Sequence, residues 1–161
     1  MTSHENIGEV RIVTLEPMRV ASVHGFGTEP EHLAWTKLEE WAGPKSYLND
    51  PEHRRIFGFN NPNPSAGSPN YGYEFWIEVN QDEVPGGEAR IQEFAGGDYA
   101  VSRVEVVGDA YDAIPDGWQR LHHWCEEQGL RFGNHQWLEQ HLSAPDGENG
   151  FTLDLYMPIV R

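Results

Sequence analysis

The sequence predicts an α+β fold in which duplicated β-α-β-β units form a mostly antiparallel sheet of about eight strands, with two main helices on one side. Three observations predict it. The pattern W-x-x-L-x-x-W occurs twice, as "WTKLEEW" (35–41) and "WQRLHHW" (118–124). Stretches of strand-like pattern flank both copies in the same order. The matched stretches are offset by about 80 residues throughout. Four elements repeated in one order mark a duplication, even at low identity.

The elements follow in chain order. Residues 9–23, "EVRIVTLEPMRVASV", read as extended structure broken at Glu16-Pro17, and 88–107, "EARIQEFAGGDYAVSRVEVV", read the same way, broken at Gly96-Gly97. Pro or Gly at such a break suits a bulge or turn within a long strand. A helix follows each. The first runs from Glu29 or Pro30 to Trp41 and stops near Gly43-Pro44; the second starts at Pro115 and stops at Gly129. Proline suits a first helical turn and glycine a C-terminal stop. In both helices the first Trp and the Leu lie three apart and share a face, which the second Trp flanks. Trp35, Leu38, Trp118 and Leu121 are therefore expected on the sheet.

Short strands come next, "RRIFGFN" (54–60) and "HQWLEQHL" (135–142), then "YEFWIEV" (73–79) and "LDLYMPI" (153–159). Alternation in the last pair marks strands with two unlike faces. The chain reads as a single domain, 1–161, with repeat one at about 9–80 and repeat two at about 88–160. The linker "NQDEVPGGE" (80–88) is no place to divide it, because either half alone is too small to bury its sheet.

Composition narrows the function. There are 11 Lys+Arg against 26 Asp+Glu, a formal charge of -15. Nucleic-acid binding needs clustered cations, and anionic membrane surfaces repel such a chain. No direct nucleic-acid or membrane partner is expected. The polar N-terminus "MTSHENIGEV" has no apolar signal-like core, and a single cysteine, Cys125, forms no internal disulfide, so a reducing, cytoplasmic setting is expected. Cys125 lies on the sheet-facing side of the second helix and reads as a small buried residue.

Catalytic motifs are absent: there is no P-loop, G-x-G-x-x-G or G-x-S-x-G. "PGGE" and "FAGGD" are turns, since neither precedes a helix. His122 and His123 point apart on a helix, and His135 and His141 lie about 20 Å apart along a strand. No metal site and no cofactor are expected.

The strand face away from the helices carries the candidate site. With Leu138 and Leu142 under the helices, that face shows His135, Trp137, Glu139 and His141, with Glu74, Trp76 and Glu78, with Asp154 and Tyr156, and with Phe57 and Phe59. Aromatic walls stack on flat ligands and attract cations, and a carboxylate among them complements positive charge. Glu139, between Trp137 and His141, is the first choice for that carboxylate. The alternative is a second small core. "NNPNPSAGSPNYGY" (60–73), rich in Pro and Gly, reads as a pocket rim carrying Tyr71 or as a surface insertion.

These residues carry a resemblance. The duplicated unit, the start "VRIVTLEPMRVASVHGFG", the strand "HQWLEQHL" and the end "FTLDLYMPI" resemble the GyrI-like small-molecule-binding family, over about residues 9–160. That family includes the effector-binding domains of AraC-type and MerR-type regulators such as Rob and BmrR. The resemblance implies a ligand cleft between the halves for bulky aromatic, often cationic, compounds. It also implies a glutamate anchor at Glu139 and a stacking tyrosine at Tyr156. No helix-turn-helix accompanies the domain, so a stand-alone binding protein is expected. Some members resemble hydrolases of cyclopropane-containing alkylating compounds. There Glu139 would activate water, and Tyr156 or Tyr71 would bond the developing oxyanion. Two further alternatives are a protein-interaction module of the gyrase-inhibitor type, with a protein partner, and haem carriage by the related duplicated fold.

Overall fold

The computed structural model describes residues 9–107, 112–143 and 150–160. The polar N-terminal residues 1–8 lie outside them. The described residues form an α+β fold of nine strands and two α-helices, built as two compact units.

The first unit is Met18–Phe94. Its strands lie side by side in the order β3 (Ile56–Asn60), β4 (Tyr71–Glu78), β2 (Met18–Gly27) and β5 (Arg90–Phe94), and each neighbouring pair is antiparallel. Helix α1 (Pro30–Ala42) covers one face. Pro30 opens it and Gly43-Pro44 divert the chain into a short 3-10 turn. Ala34, Trp35, Leu38 and Ala42 recur every three or four residues and are buried against Ala21, Val23, Tyr73, Phe75 and Ile77. Trp35 meets Phe75 edge-on with ring centres 5.3 Å apart.

The second unit joins the chain up to Pro17 with the chain from Ala95 onward. Its order is β1 (Val10–Leu15), β6 (Gly97–Val106), β9 (Phe151–Val160) and β8 (Leu138–His141), again antiparallel. A two-residue strand, β7 (Arg131–Phe132), pairs with the end of β9 and is the one strand the sequence pattern did not announce. Helix α2 (Ala113–Glu127) packs Leu121 and Cys125 on Ala100, Val104, Leu153, Leu155 and Met157. It begins two residues before Pro115. The first turn of a helix has no intrahelical use for its N–H groups, so proline is accommodated at the third position as well as the first.

The breaks within the two long extended segments divide them between units. β1 pairs with β6, and β2 pairs with β5. The first arm of each repeat thus completes the sheet of the other unit. At the second break Gly96 has φ +84°, and a Cβ there would collide with the backbone carbonyl of Leu15. Only glycine fits that turn.

The heptads sit where the repeat placed them. Trp35 and Leu38 are buried, Leu121 is buried, and Trp118 packs half-buried on the same side. Trp41 flanks the first core, edge-on to Tyr47, and Trp124 flanks the second.

Candidate functional site

Directly paired residues of antiparallel strands share a face, so the registers assign each candidate that lies in a strand. In the first unit the face away from α1 carries Phe57, Phe59, Glu74 and Trp76, as the alternation predicts. Phe57 pairs with Trp76 and Phe59 with Glu74. Two of these, Phe59 and Trp76, form a packed aromatic layer with Phe94. Phe59 and Trp76 meet edge-on at 4.9 Å, Trp76 and Phe94 lie 5.3 Å apart, and all but Phe94 are buried.

Glu74 lies in that layer at 4% exposure. It accepts hydrogen bonds from Ser22 Oγ (2.6 Å), Trp76 Nε1 (2.8 Å), Asn61 Nδ2 (3.0 Å) and Gln92 Nε2 (3.4 Å). Every one of these donors is neutral. Tyr71 stands at the start of β4 and donates to Glu31 of α1 at 2.8 Å. Burial, and then that hydrogen bond, push its hydroxyl up to about 12.

In the second unit, the face away from α2 carries Asp154 and Tyr156, again as expected. Tyr156 is buried, stacks edge-on with Tyr99 at 5.4 Å and donates to Gln140 Oε1 at 2.7 Å. Asp154, 2% exposed, is clamped by Arg11 (2.8 Å) and by Arg103 through Nε (2.9 Å) and Nη2 (3.3 Å).

On β8 the facing is the reverse of the expectation. Leu138 pairs with Tyr156 and Glu139 with Leu155. Leu138 is therefore buried on the face away from α2, and Glu139 shares the α2 side with Leu155. His141 pairs with Leu153 and lies on that side too. Glu139 and Tyr156 stand on opposite faces, so they do not form one constellation. "HQWLEQHL" carries Leu on one face and Trp on the other, so its alternation separates two faces without saying which meets the helix. His135 falls outside the strand, where its Nε2 donates to the Asp98 carbonyl at 2.7 Å and its ring meets Tyr99. Burial holds the His141 imidazole down to about 3, so it is neutral.

The α2 side thereby gathers a cluster the sequence did not assemble. Trp118 Nε1 donates to Glu139 Oε2 at 3.2 Å, and the Trp118 and Trp137 rings lie 5.1 Å apart, tilted by 48°. Trp137 is 43% exposed and Trp118 and Glu139 are half-buried. Two indoles beside a carboxylate, open to solvent, can stack on a flat molecule and complement positive charge. The first unit has no copy of this. Gly58 pairs with Phe75 where Glu139 pairs with Leu155, and the buried Trp35 Nε1 has no hydrogen-bond partner. Trp118 escaped sequence reasoning because its helical spacing marks it equally well as core.

No helix among the described residues is long and apolar enough to cross a membrane. Among curated proteins no sequence matches. Solved structures share the fold at low identity. The EcmrR C-terminal domain superposes with a TM-score of 0.66 at 16% identity, over 95% of this chain and 98% of that one. In the EcmrR–DNA complex, also at 0.66 and at 15% identity, 95% of this chain spans 57% of the EcmrR chain. A hydrolase from Listeria innocua gives 0.62 at 12% identity, over 94% and 92% of the two chains. SAV2435, bound to tetraphenylphosphonium, gives 0.57 at 13% identity, over 95% and 94%. The family model of the integron-associated effector-binding protein, Cass2, matches residues 11–159. With nearly the whole chain inside that match and the duplicated β-α-β-β fold beneath it, the chain belongs to the Cass2 family of GyrI-like effector-binding domains.

Proposed function

We propose that this protein is a receptor for a bulky aromatic cation, taken up on the Trp118–Trp137–Glu139 cluster. The observation that carries the reading is the pair of indole rings 5.1 Å apart with a carboxylate bonded to one of them. Indole faces attract delocalised cations, and Glu139 supplies the opposing charge. The formal charge of -15 favours approach of a cation over an anion. The likeness to SAV2435, bound to the aryl cation tetraphenylphosphonium, supports the ligand class. Tryptophan-fluorescence titration with tetraphenylphosphonium and a rhodamine-type cation tests it. Saturable binding is expected, weakened at least about tenfold in Glu139→Gln and in Trp137→Ala. A wild-type protein that binds neither compound overturns the reading.

A second reading, hydrolysis of a strained-ring alkylating compound, draws on the likeness to the Listeria innocua hydrolase. Glu139 would deprotonate a water for attack on the ring carbon, the ring bond would break as its electrons pass through the conjugated system to a phenolate-like oxygen, and that oxygen would take up the proton from Glu139. Tyr156 lies on the opposite face and Tyr71 is bonded to Glu31, so the reaction would rest on Glu139 and the indoles. Incubation with a cyclopropane-bearing alkylator and mass analysis for a water adduct tests this. Equal product from Glu139→Gln excludes the mechanism.

A further inference from the structure

We propose that the first unit holds a second ligand site, distinct from the indole cluster, for a small zwitterion with a guanidinium or ammonium head seated on Glu74. The duplication itself makes the argument. Within the second unit, Arg103 lies directly opposite Asp154 on the neighbouring strand, and Arg11 lies opposite Val101. Both arginines close on the buried Asp154 carboxylate. Within the first unit the same register puts His24 opposite Glu74 and Arg90 opposite Ser22. The carboxylate is present and buried, yet no cation closes on it.

Space opens beside His24 and Glu74, the pair that matches Arg103 and Asp154. A cavity of about 420 Å³ is lined by Ser22, His24, Lys37, Asn61, Pro62, Glu74, Glu88 and Arg90, the Glu88 carboxylate being paired with Lys37. That volume lies within the usual range of small-molecule sites, roughly 300–1,000 Å³. His24 is shorter than arginine and its Nε2 is engaged by the Asn61 carbonyl, to which it donates at 2.6 Å. Gly72 permits this, since a Cβ there would collide with that carbonyl. Lys37 is spoken for by the His24 carbonyl (2.9 Å) and by Glu88 (3.1 Å). It therefore stays at the rim.

Glu74 is arranged to receive a cation. Its Oε2 takes three donors, from Ser22, Trp76 and Gln92, whereas Oε1 takes only Asn61. A carboxylate offers about four acceptor positions between its two oxygens, so the open capacity is at Oε1. A buried carboxylate held only by neutral donors gains most from a charged one, because a charge-assisted bond in a low-dielectric site is about twice as strong as a neutral one. Arg90 is exposed on the same face and has no bonded partner among the described residues. Its charge disfavours a simple cation and suits a ligand with an acidic group at the far end from its head.

Calorimetric titration of the whole protein with free arginine, and with agmatine, which lacks the carboxylate, tests the site. One arginine per chain is expected to bind, at least about tenfold more tightly than agmatine, and Glu74→Gln is expected to lose at least about tenfold in arginine affinity. His24→Arg supplies the missing guanidinium from within. It is expected to abolish arginine binding and to raise the melting temperature, which keeps the test decisive if Glu74→Gln folds poorly. Absence of saturable arginine binding, undiminished binding in His24→Arg, or agmatine binding as tight as arginine would each overturn the proposal.

Discussion

At Glu139 and Tyr156 one residue of register decides which face of the sheet each side chain takes. Both were legible as chemistry-bearing residues on alternating strands, but a one-residue change of facing carries a side chain to the other side of a sheet. The duplication also let residues be compared with their own copies, so that Asp154 with its arginines explains what Glu74 lacks. Two predictions belong to this scale. His141 has its pKa lowered by burial to about 3, below its ordinary 6.5. The unfolded chain binds a proton below 6.5 that the folded chain refuses, so this contribution to stability is complete above 6.5 and is lost as pH falls toward 3. Urea midpoints between pH 7 and 5 should therefore fall less steeply in His141→Gln than in wild type. Cys125 is buried, and burial pushes its thiol up to about 11. A thiol reagent at pH 8 should modify it only at the rate of unfolding, measured by comparing labelling with and without urea.

The helices were the most legible elements, and β8 and β7 the least. Helix α1 occupies Pro30–Ala42, as proline at one end and Gly43-Pro44 at the other require. Strand β8 has four residues, too few for its own pattern to outweigh the pairing that β9 imposes. Strand β7 has two and carries no pattern at all. The helix cores carry a direct prediction. Leu38 and Leu121 are fully buried counterparts in the two units. Leu38→Ala and Leu121→Ala should each cost about 2–5 kcal/mol in chemical denaturation. Trp118→Phe keeps most of the packing but removes the donor to Glu139. It should change stability by less than either leucine variant while altering the binding of an aromatic cation.

For the molecule as a whole, the charge of -15 makes self-repulsion a general term in stability. Raising salt from about 10 to about 150 mM shortens the screening length from roughly 30 to 8 Å, so the melting temperature should rise over that range in a calorimetric scan. The sequence by itself determined the duplication, the α+β class, the two helices, the strand alternation and the small inventory of carboxylates and aromatic rings. It could do so because these follow from local periodicity and from offsets along the chain, which are read without knowing what lies beside what. Tertiary structure alone decided that the first arm of each repeat completes the other unit, that Glu139 meets Trp118 beside α2, and that Glu74 lies open where Asp154 is closed. The physical reason is that hydrogen-bond register and packing join residues distant in the chain, and a period of two leaves the choice of face to the neighbouring strand.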